Sequence, residues 1–117
     1  MIPKPEPRAR TKARKRAATQ RLRSKVMQDV DTRDGSTCRI CQCRTVVFDL
    51  SRQPHHHHIV YRSRGGEDTL DNIILICALC HDRVHRSGKL RVSGHASALQ
   101  IERLIDGVWV NDETTND

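Results

Sequence analysis

The sequence has few large aromatic side chains: among its 117 residues are one Phe, one Tyr and one Trp. A chain of this length forms one small domain, and a core with so few large side chains is marginal without an added cross-link. The sequence also lacks an apolar run long enough to span a membrane and a recognisable signal peptide. We therefore expect a cytoplasmic protein without membrane contact, in which paired cysteines are metal ligands rather than disulfides.

Acidic residues are almost absent from the first 25 residues, which hold ten Lys or Arg against Glu6 alone, a net charge of +9. The other 92 residues carry eleven basic and thirteen acidic side chains, a net charge of −2. A positive charge concentrated in this way attracts polyanions, and we expect DNA contacts that are largely independent of base sequence from Arg14, Lys15 and Arg16. The alternative is a segment that only adds solubility.

The pattern of apolar residues predicts an α+β domain between two polar ends. Residues 1–18 are rich in proline and basic residues, and we expect them to form a disordered arm in the free protein. A helix should follow, because Leu22, Val26 and Val30 recur on one helical face and an Asp-Gly pair at 34–35 ends the pattern.

The remaining elements of the central domain, residues 19–90, follow from the alternation of apolar, β-branched and turn-forming residues. They are strands at "TVVFDLS", in the run leading into "HHIV" and at "NIILIC", then a short helix at "ALCHDRVHRSG". Strand character returns at "KLRVSG" and "ALQIERLIDGVWV". Residues 91–110 are expected to form a β-hairpin, since Asp106-Gly107 is a strong turn signal. Residues 111–117 are expected to be a polar tail.

Two CxxC pairs, separated by 35 residues, are the strongest chemical signal in the chain. Each two-residue gap lets both sulfurs reach one ion, so Cys38, Cys41, Cys77 and Cys80 predict a tetrahedral structural zinc site. A redox-active pair is the alternative, although neither pair lies in a βαβ context of the thioredoxin kind. Cys43 is interpreted as a spare thiol, although the sequence leaves open whether Cys41 or Cys43 is the second ligand of the first pair.

Four successive histidines, residues 55–58, lie between the two cysteine pairs. Asn72 follows His58 by fourteen residues, His81 comes nine residues later, and His85 follows on the same helical face as His81. A histidine at a strand end, an asparagine opening the next strand and a histidine on the following helix together predict a ββα unit. Its polar groups should converge where the helix crosses the hairpin.

The segment "HHIVYRSRGGEDTLDNIILICALCHDRVH", with "RDGSTCRIC" before it, resembles the HNH endonuclease family in its version with a four-cysteine zinc site. The resemblance implies the ββα-metal fold and a metal-dependent endonuclease that hydrolyses DNA phosphodiester bonds. The size and layout of the chain are similar to those of small phage-encoded members of this family. That likeness implies a phage or prophage origin, action in the cytoplasm of a bacterial host, and assistance to terminase and portal proteins in DNA packaging.

The resemblance also assigns roles residue by residue. His58 matches the general base, and Asn72 matches the asparagine that braces the loop around it. His57 and His81 match ligands of the catalytic metal, and His81 is also counted among the catalytic residues. His85 matches a further ligand found in some members and is equally well interpreted as a cation at a helix C-terminus.

The resemblance leaves the catalytic metal open among Mg²⁺, Mn²⁺, Ni²⁺ and Zn²⁺. His57 stands where the family often has aspartate, and imidazole ligands favour Mn, Co, Ni or Zn relative to Mg. Magnesium remains compatible because phosphate and water supply oxygen ligands. Arg62 and Arg64, just before the glycine pair, are expected to bind backbone phosphates.

Two other functions compete with a nuclease. One is a zinc-containing nucleic-acid-binding module without catalysis, and the other is an assembly factor of DNA packaging. A pure binding module has no need of His58 together with Asn72 and His81, so this trio favours the enzyme.

Overall fold

The computed structural model describes residues 8–112, which contain two α-helices and five strands. In chain order these are α1 (Arg8–Asp34), β1 (Pro54–His58), β2 (Ile73–Cys77), α2 (Ala78–His85), β3 (Leu90–His95), β4 (Ala98–Ile105) and β5 (Val108–Asn111). Strands β1 and β2 form an antiparallel pair, while β3, β4 and β5 form a separate antiparallel sheet. The α+β class is therefore confirmed.

Strand β2 lies at the centre of the fold, and all five of its residues are buried. Ile73 and Leu75 pack with Val30 of α1. Ile74 and Ile76 belong to a second cluster shared with the three-stranded sheet. A strand that is covered on both faces needs no polar face, and this explains why "NIILIC" is a continuous apolar run.

The C-terminal strands complete this second cluster. Leu90, Leu99 and Ile101 are buried in it beside the residues of β2. The predicted hairpin is present as β4 and β5, and its turn residues Asp106 and Gly107 both have positive φ, as a type I′ turn requires. Strand β3 pairs along β4, so the hairpin is part of a three-stranded sheet.

The expected disorder of residues 8–18 is wrong, because they form the first turns of α1. This stretch contains no proline or glycine and is rich in Ala, Lys and Arg, which are strong helix formers. It also continues a helix whose C-terminal part is packed against β2. Residues 11–22 are all exposed, Leu22 included. The prolines of residues 1–7 and the last five tail residues lie outside the described part of the chain.

The strand expected at residues 45–51 is also wrong, because this stretch is a loop of consecutive turns. The Asp49 carboxylate accepts hydrogen bonds from the amide (3.0 Å) and the hydroxyl (2.8 Å) of Ser51. No strand of the described residues pairs with the loop. Phe48 is 97% exposed as a result. β-Branched and aromatic residues favour a strand only where a neighbouring strand can pair and pack with them.

Asp34 is a buried charge that attaches the end of α1 to the rest of the fold. Its side chain is 1% exposed and accepts hydrogen bonds from the amide of Leu75, from Arg39 and from Arg33, at 2.8–2.9 Å. Burial opposes its ionisation, but these hydrogen bonds outweigh burial and lower the pKa of Asp34. The carboxylate therefore links α1, β2 and the first cysteine turn.

Replacing Asp34 by Asn should lower the free energy of unfolding by about 2 kcal/mol, because two arginines lose their buried counter-charge. Urea denaturation of the zinc-loaded protein, followed by circular dichroism, measures this loss. The matched control is Asp29→Asn, because the exposed carboxylate of Asp29 pairs with Lys25. This change should lower the free energy of unfolding by less than about 0.5 kcal/mol. Equal effects of the two changes would contradict the role of Asp34.

Candidate active site

The two CxxC pairs meet at one point, as their spacing predicted. The four sulfur atoms all lie within 4.8 Å of one another, and those of Cys41 and Cys77 are 3.7 Å apart. Zinc–sulfur bonds of about 2.3 Å place tetrahedral ligands roughly 3.8 Å apart, so the cluster fits a structural zinc ion. The amides of Ile40 and Cys41 also point at the sulfur of Cys38, at 3.4 and 3.5 Å.

The close approach of the sulfurs changes the acidity of the thiols. A hydrogen bond with Cys80 lowers the pKa of Cys38 to about 4, and the same contact raises the pKa of Cys80. Such thiols release their remaining protons when a metal ion binds them. Cys43 is not a member of the cluster. Burial raises the pKa of Cys43 to about 12, so this side chain stays a thiol at neutral pH.

The two-residue period of a strand divides the histidine run between two faces of β1. His55 and His57 contact the imidazoles of α2, while His56 and His58 lie on the opposite face, which α1 borders. The alternation follows from the pleat, in which successive side chains point in opposite directions. Neighbouring histidines therefore have different partners.

On the face towards α2 the imidazoles contact one another. His57 is 3% exposed, and its Nδ1 atom lies 3.3 Å from Nε2 of His85. The ring of His81 lies 4.4 Å from that of His85 and stacks on His55 at 4.5 Å. Burial lowers the pKa of His57 to about 4 and also lowers the pKa of His81. Both rings are therefore neutral at pH 7 and retain a lone pair for a metal.

These imidazoles suit a divalent transition metal, although they are less compact than the cysteines. Metal–nitrogen bonds are about 2.0–2.1 Å, so two ring nitrogens 3.3 Å apart can bind the same ion. His57 and His85 form such a pair, whereas His81 lies alongside and is turned onto His55. Within residues 8–112, the cysteines are the group whose ligand atoms are all within 4.8 Å.

On the opposite face each histidine is bonded to a carboxylate. Nε2 of His56 lies 2.7 Å from Oδ1 of Asp31 in α1, and Nε2 of His58 lies 2.7 Å from Oδ1 of Asp68. Sequence reasoning missed both acids. No motif links them to the histidines, since they lie 25 and 10 residues away along the chain.

Two cations hold Asp68 in turn. Arg62 donates to both carboxylate oxygens, at 2.7 and 2.8 Å, and Arg23 of α1 lies 3.4 Å from the carboxylate. Burial opposes ionisation, but hydrogen bonds from His58 and Arg62 lower the pKa of Asp68 to about 2. Asp68 is therefore an acceptor for the N–H at Nε2 of His58. In the neutral ring this leaves the lone pair on Nδ1.

Asn72 closes the loop that carries these residues. Its Oδ1 accepts from the amide of Val60 at 2.9 Å, and its Nδ2 donates to the carbonyls of Val60 (3.1 Å) and Glu67 (2.9 Å). The loop also needs Gly66, because an added Cβ would lie 1.8 Å from the carbonyl oxygen of Val60. The turn is thus held from both ends.

One cavity of about 380 Å³ collects the residues of both faces, because His58 stands at the end of β1. Its lining consists of His56, His57, His58, Tyr61, Arg62, Ser63, His81 and His85. Helix α1 passes this cavity at Arg23. The exposed, basic turns with Arg14, Lys15 and Arg16 lie further towards its N-terminus.

Helix α1 is long but strongly charged. None of the helices between residues 8 and 112 combines the length and apolarity needed to cross a membrane.

Comparison with known proteins shows what this part of the chain is similar to. The family model of HNH endonucleases matches residues 38–87, the part that contains both cysteine pairs, the histidine strand and α2. Residues 38–87 are therefore similar to an HNH endonuclease domain. Anaredoxin from Nostoc sp. is 24% identical over 71 residues, which cover 61% of this chain and 84% of that protein. No solved structure matches the chain.

Replacing Cys77 by Ser should release zinc and unfold the domain, because the affinity of a structural zinc site contributes directly to folding. Zinc content by atomic absorption and helix content by circular dichroism measure the two effects. Cys43→Ser is the matched control and should keep one zinc ion and the native spectrum. A folded, zinc-loaded Cys77→Ser variant would contradict the ligand assignment.

Proposed function

We propose that this HNH protein is a metal-dependent endonuclease that hydrolyses DNA phosphodiester bonds with little dependence on base sequence. The observation that carries the proposal is the shared cavity. His57 and His85, whose imidazoles can hold a metal, line this cavity. His58, whose ring is oriented by a carboxylate, lines the same cavity.

In the proposed reaction His58 is the general base. Its Nε2–H is bound by Asp68, which leaves Nδ1 to accept a proton from the attacking water. The Asp68 carboxylate also stabilises the imidazolium that this transfer creates, and Arg62 keeps the carboxylate in place. Asp68 is therefore proposed as a positioning residue for His58, held within the loop that Asn72 closes.

The residues that would hold the catalytic metal are His57 and His85, with His81 beside them. When bound, a divalent cation supplies a Lewis acid that stabilises the negative charge developing on the scissile phosphate and the leaving oxygen. Burial lowers the pKa of His57 and of His81, which favours the neutral form of these two rings. We infer that His85 acts as a ligand, since its nitrogen faces that of His57.

DNA is proposed to reach the cavity along α1. The exposed cations of the helix would contact backbone phosphates, which carry no base information. Arg62 was expected to bind phosphate as well, but its guanidinium is engaged by Asp68. That role falls to Arg64, which is exposed at the next turn of the loop.

A phage or prophage origin, residence in the bacterial cytoplasm and assistance to terminase and portal proteins make up a narrower version of this proposal. They rest on the likeness in size and layout to small phage-encoded HNH endonucleases. Binding of the purified protein to purified terminase subunits, measured by calorimetry, tests this version separately from cleavage.

Replacing His58 by Ala should abolish cleavage while leaving the fold intact, since the ring is at the surface of the cavity rather than in the core. Conversion of supercoiled plasmid to nicked or linear forms in Mn²⁺, Mg²⁺, Ni²⁺ or Zn²⁺ provides the measurement. The matched control is His95→Ala, an exposed histidine paired with Asp71, which should retain full activity. Wild-type activity in the His58 variant would remove His58 from the mechanism.

A graded effect is expected at Asp68. Asp68→Asn should lower the rate of cleavage by about 10- to 100-fold, because an amide orients the histidine less well and gives no charge stabilisation. The loss should fall on kcat rather than on KM, and Asp68→Glu should restore part of it. An equal loss in an Asp82→Asn control on α2 would show that the effect is not specific to the pairing with His58.

Replacing Arg14, Lys15 and Arg16 together by Gln should weaken DNA binding and flatten its dependence on salt. Each phosphate contact contributes roughly 0.9 to the slope of log K against log salt, so the slope should fall by up to about 2.7. Fluorescence anisotropy with a labelled duplex measures both quantities. A variant with Arg44, Arg52 and Arg86 changed to Gln carries the same net charge and should keep a steeper slope; identical slopes would contradict a specific role for α1.

A further inference from the structure

A second groove adjoins the histidine cavity, between the loop that follows β1 and the edge strand β3. It has a volume of about 670 Å³, and Tyr61 lines both spaces. The residues that matter here are Ile59, Tyr61 and Arg64 on one side, and Leu90, Arg91 and Trp109 on the other. The groove therefore continues the cavity onto the C-terminal sheet.

The C-terminal side of the groove carries a layered pair of planar groups. The guanidinium of Arg91 lies 3.7 Å from the centre of the Trp109 ring and 3.3 Å from a carboxylate oxygen of Glu102. These two contacts hold an exposed arginine in one orientation before any ligand arrives. A held guanidinium plane and an aromatic ring are surfaces on which nucleobases stack.

The charges in the groove favour an anion. Arg64 and Arg91 face it against the single carboxylate of Glu102, which is already engaged by Arg91. Apolar groups such as Ile59 and Leu90 line its floor. Cations beside aromatic and apolar surface are the combination that holds the backbone and bases of a nucleic-acid strand.

We propose that this groove binds a few nucleotides of a DNA strand next to the bond that is cut. Arg64 contacts a phosphate at the junction with the histidine cavity, and the Arg91–Trp109 pair stacks against a base further along. The inference rests on the proposed nuclease function, since the strand is taken to continue from that cavity. It assigns to the C-terminal sheet the task of holding the substrate strand.

Trp109 makes the test direct, because it is the one tryptophan of the chain. The full-length, zinc-loaded His58→Ala protein is titrated with unlabelled single-stranded DNA of about a dozen nucleotides, a length that covers one strand-binding site. Stacking should quench the Trp109 fluorescence in a saturable manner. Inorganic polyphosphate of similar charge should bind with little quenching, because it has no bases.

A variant measures the contribution of the arginine. Arg91→Ala should weaken binding of a labelled form of the same oligonucleotide by about tenfold in anisotropy, while Arg44→Ala, an exposed arginine outside the groove, should leave affinity unchanged. Circular dichroism checks that both variants keep the native fold. Binding with unchanged Trp109 fluorescence and an unaffected Arg91→Ala variant would overturn the proposal, as would equal quenching by polyphosphate.

Plasmid cleavage by the wild-type protein separates this inference from the proposed function. Cleavage without quenching overturns the groove and leaves the nuclease. Quenching without cleavage in any of the metals leaves a strand-binding groove on a protein that is not a nuclease.

Discussion

The meeting of four sulfurs from two distant parts of the chain is the constraint on which the remaining structure depends. Cys38 and Cys41 stand before the loop and β1, while Cys77 and Cys80 stand at the end of β2 and in the first turn of α2. With so few large side chains, the core gains less from apolar burial than most domains of this length. A metal bound by the cluster would close the base of the β1–β2 hairpin and fix where α2 crosses it.

Once the hairpin is fixed, the pleat of β1 converts a run of identical residues into two different chemical environments. His57 is buried against α2 and loses its proton easily, whereas His58 is turned to the other side and meets Asp68. The same residue type can therefore provide a neutral donor and an oriented imidazole at neighbouring positions. The difference arises from strand geometry and not from the identity of the side chains.

Much of this arrangement could be predicted from sequence, because it depends on local periods and short spacings. The buried strand "NIILIC" and the cysteine cluster are of this kind. What could not be predicted depends on contacts between distant segments: Asp34 with the amide of Leu75, and Asp68 with His58 and Arg23. The segment at residues 45–51 has strand-forming residues but no partner, and residues 8–18 are helical because a packed helix continues through them.

The geometry of helix α1 also sets the shortest DNA duplex that could contact both its basic turns and the cavity. Its C-terminal turns are packed and bonded to the domain through Val30 and Asp34, and its exposed N-terminal turns continue from there. Arg16 and Arg23 are seven residues apart, which is about 10 Å of helix, or roughly three base pairs of stacked DNA. A duplex shorter than this could contact the exposed turns of α1 or the cavity, but it could not bridge the two.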